Sequence, residues 1–220
     1  MDKFLLKSFE GMQYYEYIPK GFNNANTYPL MIFLHGAGER EIVEHVKRYG
    51  PLHEIENGND LPCIILAPYC EGNRTWFDYG ERLYRFVMQY RQNAYVDKER
   101  VCVTGLSMGG YGTWSFGMSH PELLSAIAPL CGGGMAWNAK MLVNTPIWTF
   151  HGDVDDCVNI KESDSMVAAV KDCGGNINYT VYNGYNHDIW TVTYKNPDFY
   201  KWILSQKRNE IYRKMETENE

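Results

Sequence analysis

The chain has 220 residues, 45% of them hydrophobic, which is enough to bury a sizeable core within one domain spanning residues 1–220. Formal net charge is −6, from 21 basic and 27 acidic residues, and no Lys/Arg run makes a cationic stripe, so nucleic acid is excluded as an expected partner. The N-terminal apolar run is only Phe4 to Leu6, far short of a signal-peptide core or a membrane span. A cytoplasmic protein with no membrane partner is therefore expected, or a secreted or periplasmic one if a leader was trimmed from the chain. The cysteines at 63, 70, 102, 131, 157 and 173 include no CxxC pair, and a chain of this length can rely on its core, so reduced thiols are expected.

Along the chain, short apolar runs alternate with helix-compatible stretches, without repeats or a Pro/Gly/Ser-rich linker. Strands are expected at 13–18, 30–34, 63–67, 101–104, 125–130, 147–150 and 178–182. Several are continuously apolar, the pattern of strands covered on both faces. Helices are expected at about 39–49, 80–93, 108–119, 160–173 and 190–208. In the second of these, Leu83, Phe86, Val87 and Tyr90 recur at spacings of three and four, an amphipathic signature. The alternation implies a mostly parallel α/β sheet with helices on both faces. An antiparallel hairpin could flank one edge, and the charged tail 209–220 is expected to fray.

Within this pattern, Gly105-Leu106-Ser107-Met108-Gly109 reads G-x-S-x-G after a strand and before a helix. That context belongs to a nucleophilic serine on a sharp turn, with glycines removing the β-carbons that would collide there. Such a serine needs a base and a group to orient the base. Downstream, WTFHGDVDDCV offers Asp153, Asp155 and Asp156 after a strand, and YNGYNHDIW puts His187 after the next. Ser107, Asp155 and His187 thus occur in the order Ser, Asp, His, each beyond the carboxyl end of a strand, where an open parallel sheet gathers its loops along one rim.

Taken singly, an aspartate in a DxDD cluster is a common turn former and a loop histidine is commonly a surface residue. Order and context give the three their joint meaning. His45, His53 and His120 fit less well, and His35 and His151, each in an HG pair ending a strand, read as loop-geometry residues rather than proton carriers. For an oxyanion, Met108 would supply one N–H, and LHGAGER a second at Ala37, in preference to Gly38. A phosphate cradle is the alternative for that loop, but neither GxxxxGK[ST] nor GxGxxG is present.

LMIFLHGAGER, VTGLSMGGYGTW, FHGDVDD and GYNHDIW, spanning about 14–207, resemble the compact α/β-hydrolases of the phospholipase/carboxylesterase, "predicted peptidase" and feruloyl-esterase-like group. The resemblance implies an α/β-hydrolase fold without a large lid domain. Its H-G-x-x-D-x-x-V pattern selects Asp155 as the acid, with Asn159 standing where a proline is usual, and its oxyanion position falls on Ala37. A serine nucleophile separates the chain from dienelactone hydrolases proper.

The reading that follows is a serine carboxylic ester hydrolase, needing no cofactor or metal, for small or carbohydrate-linked esters of acetyl or feruloyl type. A peptidase, thioesterase or lysophospholipase with the same triad is the alternative, and a non-catalytic binding protein a remoter one. Trp76, Tyr111, Trp137 and Trp190, with Met135, are the candidate rim residues for stacking on substrate, against ordinary packing as the alternative. Nothing in the sequence specifies an oligomeric state.

Overall fold

A computed structural model describes residues 3–217. Its strands are β1 (Phe4–Phe9), β2 (Met12–Tyr17), β3 (Tyr28–Leu34), β4 (Ile64–Pro68), β5 (Val96–Leu106), β6 (Ala126–Leu130), β7 (Ile147–Gly152) and β8 (Ile177–Tyr182). Its helices are α1 (Gly50–Glu56), α2 (Gly80–Tyr90), α3 (Met108–Ser119), α4 (Lys161–Asp172), α5 (Trp190–Lys195), α6 (Pro197–Ser205) and α7 (Glu210–Thr217). The strands form one eight-stranded sheet in the order β1-β2-β4-β3-β5-β6-β7-β8. Pairing is antiparallel for β1/β2 and β2/β4 and parallel from β4 to β8. This is the mostly parallel α/β sheet that the residue pattern implies and the α/β-hydrolase architecture that the resemblance implies, with the hairpin at one edge.

Continuous apolar strands follow from two-sided burial. In β3, Leu30, Ile32 and Leu34 join the core with Leu83, Phe86 and Val87 of α2 and Trp114 of α3. Met31 and Phe33 point the other way, to Leu52 and Ile55 of α1 and Tyr194 and Phe199 of α5 and α6. Period-two alternation thus sends one run to two cores. Crossovers between parallel strands leave the carboxyl ends of β3 to β8 on one rim, where the loops that matter are found.

Three expectations are corrected. The helix foreseen at 39–49 is instead two short 3-10 turns, Ala37–Glu39 and Val43–Lys47, followed by α1. Gly50 at φ 75° turns the chain away from any incoming helix, and Pro51 sits at the start of the new one. The helix foreseen at 190–208 is divided because Asn196 precedes a proline and stays extended at ψ 116°, its side chain accepting the Asp198 N–H at 2.9 Å as an N-cap. The tail expected to fray forms α7, held by ion pairs from Glu216 to Arg91 and Arg208; residues 218–220 lie outside the described residues. All six cysteines are free, Cys157 and Cys173 being exposed. Among the described residues, no helix is long and apolar enough to cross a membrane.

Candidate active site

At the end of β5 the chain enters α3 through Ser107, whose backbone lies at φ 53° and ψ −115°. A non-glycine residue there stores on the order of 1–3 kcal/mol of strain that the surroundings must hold. They do so by close packing. A β-carbon on Gly105 would fall 2.6 Å from the Leu34 carbonyl oxygen, and one on Gly109 would overlap the same carbonyl. The Ser107 N–H donates to Leu130 O at 3.0 Å, tying the turn to the end of β6.

His187, in the loop after β8, brings Nε2 to 2.9 Å from Ser107 Oγ and Nδ1 to 2.7 Å from Asp155 Oδ2. Asp155 Oδ1 accepts the N–H groups of Cys157 at 2.9 Å and Val158 at 2.8 Å. Burial raises the Asp155 pKa, but the His187 hydrogen bond and these two N–H groups outweigh it and hold the carboxyl below its ordinary value. It is therefore ionised at neutral pH. Asp153 and Asp156 are exposed, and Asp153 Oδ1 instead accepts the Gly184 N–H at 2.6 Å. Three adjacent acids thus have separate placements.

One residue that no motif singles out joins the two loops. Asn186 Oδ1 accepts the N–H of Asp156 at 3.0 Å and of His187 at 2.7 Å, so the loop after β7 and the loop after β8 are clamped together beside the imidazole. Trp190 packs edge-on to His187 with centroids 5.2 Å apart.

His35 and Glu39 shape the loop that follows β3. Burial lowers the His35 pKa to about 4, so the ring is neutral. Its Nε2 accepts the Cys70 N–H at 2.9 Å, which leaves the hydrogen on Nδ1, donating to Gly36 O at 2.7 Å. Burial also raises the pKa of the Glu39 carboxyl, opposed by the Gly36 N–H and by Arg48. Ala37 opens one helical turn and Met108 opens α3, positions whose N–H groups have no acceptor within their own turn. The two segments are neighbours: a β-carbon at Gly36 would lie 2.7 Å from Leu106 Cδ1.

The rim reading is corrected for Trp76. It is 2% exposed, donates Nε1–H to His35 O at 2.9 Å, and lies against α3 where a β-carbon on Gly112 would be 2.6 Å from its own Cβ. It supports the loop after β3 through the His35 carbonyl and presents almost no surface to solvent. Phe77, its neighbour in the segment between β4 and α2, is exposed instead. Trp137 is 79% exposed and Tyr111 and Trp190 are partly exposed, so these three keep accessible surface. Tyr111 borders a cavity of about 270 Å³ with Phe77, Ser115, Met118, Gly134 and Met135. Burial, then the Glu162 carboxylate beside it, pushes the Tyr111 phenol up to about 12. A larger cavity of about 750 Å³ lies by the β1–β2 hairpin, lined by Lys3, Tyr17, Ile55 and Asp60 among others, and contains none of these groups.

Among the described residues, Cys131 Sγ, an Asp155 oxygen and a His187 nitrogen lie within 4.8 Å of one another. Metal ligation needs a thiolate, whereas burial pushes the Cys131 thiol far up, and Asp155 and His187 are already committed to each other. This donor set does not fit a resident metal.

The profile of the phospholipase/carboxylesterase family matches residues 73–196, more than half of the chain and the segment that carries Ser107, Asp155 and His187. The chain belongs to the phospholipase/carboxylesterase family. As a member of that family it is similar in structure to a thermostable esterase, with a TM-score of 0.78 and 30% identity over 94% of this chain and 64% of that one. It shares its fold with the feruloyl esterase module of Clostridium thermocellum, at TM-score 0.68 and 18% identity, covering 92% of this chain and 86% of the other. In sequence it is 26% identical over 137 residues to poly(3-hydroxyalkanoate) depolymerase C of Paucimonas lemoignei, covering 56% of this chain and 31% of the relative. It is also 23% identical over 167 residues to a bifunctional acetylxylan esterase/xylanase of Neocallimastix patriciarum, covering 74% of this chain and 24% of that protein. The chain therefore spans a third or less of the length of these two curated relatives.

Proposed function

We propose that this phospholipase/carboxylesterase-family protein is a serine carboxylic ester hydrolase whose nucleophile is Ser107, base His187 and orienting acid Asp155. The observation that carries the reading is the unbroken hydrogen-bonded line from Ser107 Oγ through both nitrogens of His187 to Asp155 Oδ2, at 2.9 and 2.7 Å. Because Asp155 is ionised, it fixes the hydrogen on Nδ1 and leaves the Nε2 lone pair facing the serine hydroxyl.

As Ser107 Oγ attacks the ester carbonyl, Nε2 takes its proton and the imidazolium forms against the carboxylate. The N–H groups of Met108 and Ala37 receive the developing oxyanion, a contribution on the order of 10²–10³-fold per donor. Collapse of the tetrahedral species expels the alcohol, protonated by His187, and leaves an acyl-serine. Water, deprotonated by the same imidazole, then releases the acid.

For the substrate we infer a small or carbohydrate-linked ester of acetyl or feruloyl type. Two features support this: an apolar cavity of about 270 Å³ bordered by Tyr111, one helical turn beyond Ser107 in sequence, and the acetylxylan- and feruloyl-ester activities named in two of the similar proteins. The exposure of Trp137 and the partial exposure of Trp190 support their meeting the sugar or aryl portion.

Turnover should be compared for p-nitrophenyl acetate, p-nitrophenyl esters of longer chains, methyl ferulate, acetylated xylo-oligosaccharide, an acyl thioester and an aminoacyl amide, with fluorophosphonate labelling alongside. The expected result is labelling at Ser107 and preference for the acetyl or feruloyl oxygen esters, both abolished in Ser107→Ala. Full turnover by Ser107→Ala overturns the mechanism; preference for the thioester, amide or long-chain ester overturns the substrate assignment.

A further inference from the structure

Behind Asp155 lies a second imidazole that the scheme above does not use. His151, next to last in β7, is fully buried. Its Nε2 is 2.9 Å from Val158 O and 3.2 Å from Asp155 Oδ2, the oxygen that also accepts from His187. Both neighbours of this nitrogen are acceptors, so it carries a hydrogen. A bare lone pair there would face a carbonyl and a carboxylate with no water to relieve the repulsion. At the other side of the ring, Nδ1 is 2.7 Å from Ser163 Oγ, and Ser163 Oγ is 3.0 Å from Gly132 O. The single hydroxyl hydrogen serves either Nδ1 or Gly132 O: given to Nδ1 it leaves the ring neutral, whereas given to Gly132 O it calls for a second ring hydrogen, on Nδ1.

We propose that His151 is a positioning residue for the Asp155 carboxylate, locked in its neutral Nε2–H tautomer by the hydroxyl of Ser163. The proposal rests on the Ser107–His187–Asp155 reading and extends it. Ser163 on α4 orients His151 much as Asp155 orients His187. His151 closes the turn around the acid through Val158, whose own N–H donates to Asp155 Oδ1, while its polar N–H edge lies against Oδ2. The carboxylate is then held from both oxygens, and its remaining direction is toward His187 Nδ1. Removing His151 should let the 155–158 turn relax and misalign the base without touching the space where substrate binds.

Two measurements test this. Long-range ¹H–¹⁵N correlation of the histidine rings in the wild-type protein at neutral pH should show one neutral Nε2–H ring, assigned to His151 by its loss in His151→Phe or, should that variant not fold, in His151→Gln. Ser163→Ala should perturb that tautomer. A doubly protonated ring, or an Nδ1–H tautomer, overturns the proposal without any reference to activity. In kinetics, His151→Phe should lower kcat roughly 10–100-fold with KM within about twofold, the scale on which supporting partners of functional side chains act. His151→Gln, whose amide can restore a donor near the Nε2 position, should recover most of the loss. Wild-type kcat in a folded His151→Phe, while His187→Ala is inactive, overturns the proposal alone. Hydrolysis that survives His187→Ala overturns the underlying triad reading instead.

Discussion

Asp155 shows how a single carboxylate can be committed on every side: two backbone N–H groups on Oδ1, His187 and the His151 edge on Oδ2, and no solvent exposure. Asp155→Asn would place an amide where ionisation is needed, so the Nδ1 hydrogen of His187 loses its ionic anchor. We expect kcat to fall on the order of 10³–10⁴-fold with the fold retained, read by steady-state kinetics and circular dichroism. Stability supplies a second readout. The folded carboxyl titrates below its unfolded value, so its ionised form stabilises the native state fully above the ordinary carboxylate range, and this contribution fades as pH falls through the lower folded value. The stability advantage of wild type over Asp155→Asn in urea melts should therefore be steady near neutrality and shrink on acidification. An advantage that grows toward acid pH would contradict the depressed titration.

At the scale of elements, strain and close approach separate glycines that look alike in sequence. Gly109 sits in the first turn of α3 where a β-carbon would overlap the Leu34 carbonyl, a backbone atom that cannot move aside. Gly174, just after α4, has φ 80° but nothing within 4 Å of the added atom. Alanine at 174 should cost only the conformational penalty, about 1 kcal/mol, whereas alanine at 109 adds overpacking and should cost roughly 3 kcal/mol or more. Urea denaturation of the two variants measures the difference, and equal costs would mean that the elbow has more room than its packing indicates.

The same contrast accounts for what could be read from residues beforehand. Ser107, Asp155 and His187 were legible because each stands at a strand end in a pattern whose chemistry demands it. Trp76 was misread because a polar neighbourhood in sequence says nothing about a side chain that turns inward to the His35 carbonyl. Asn186 and Ser163 carry no spacing signal, and His151, although it opens the H-G-x-x-D-x-x-V pattern, reads there as a loop-geometry residue; the contacts of all three exist only once β7, α4 and the loop after β8 are assembled. The division of the helix at Asn196 is, by contrast, legible in Pro197, which keeps the residue before it out of helical backbone.

Over the whole molecule, the least expected feature is a charge cluster at the opposite end of β5 from Ser107. Arg91, at the end of α2, is 1% exposed, and Arg208 is 5% exposed, yet both are guanidinium groups that cannot shed their charge. Glu216 of α7 meets both, and Glu99 of β5 also pairs with Arg208 at 2.9 Å. The Arg208 N–H further donates to Glu99 O at 2.9 Å, fastening the approach to α7 onto β5. A charged C-terminal helix is thus retained because the core beneath it contains two cations in need of an anion. Glu216→Ala removes the shared partner, leaving Arg91 without its carboxylate and Arg208 with Glu99 alone. With the Glu216 side chain 35% exposed, part of the fully buried-pair penalty is relieved by water, so a loss of about 1–3 kcal/mol is expected. Glu210→Ala, which removes a pair with Arg213 whose glutamate is 76% exposed, should cost no more than about 0.5 kcal/mol. Comparing the two in urea, with amide hydrogen exchange along α7, separates an anchored helix from a loosely laid one. Equal, negligible losses would show that the cluster does not hold the C-terminus.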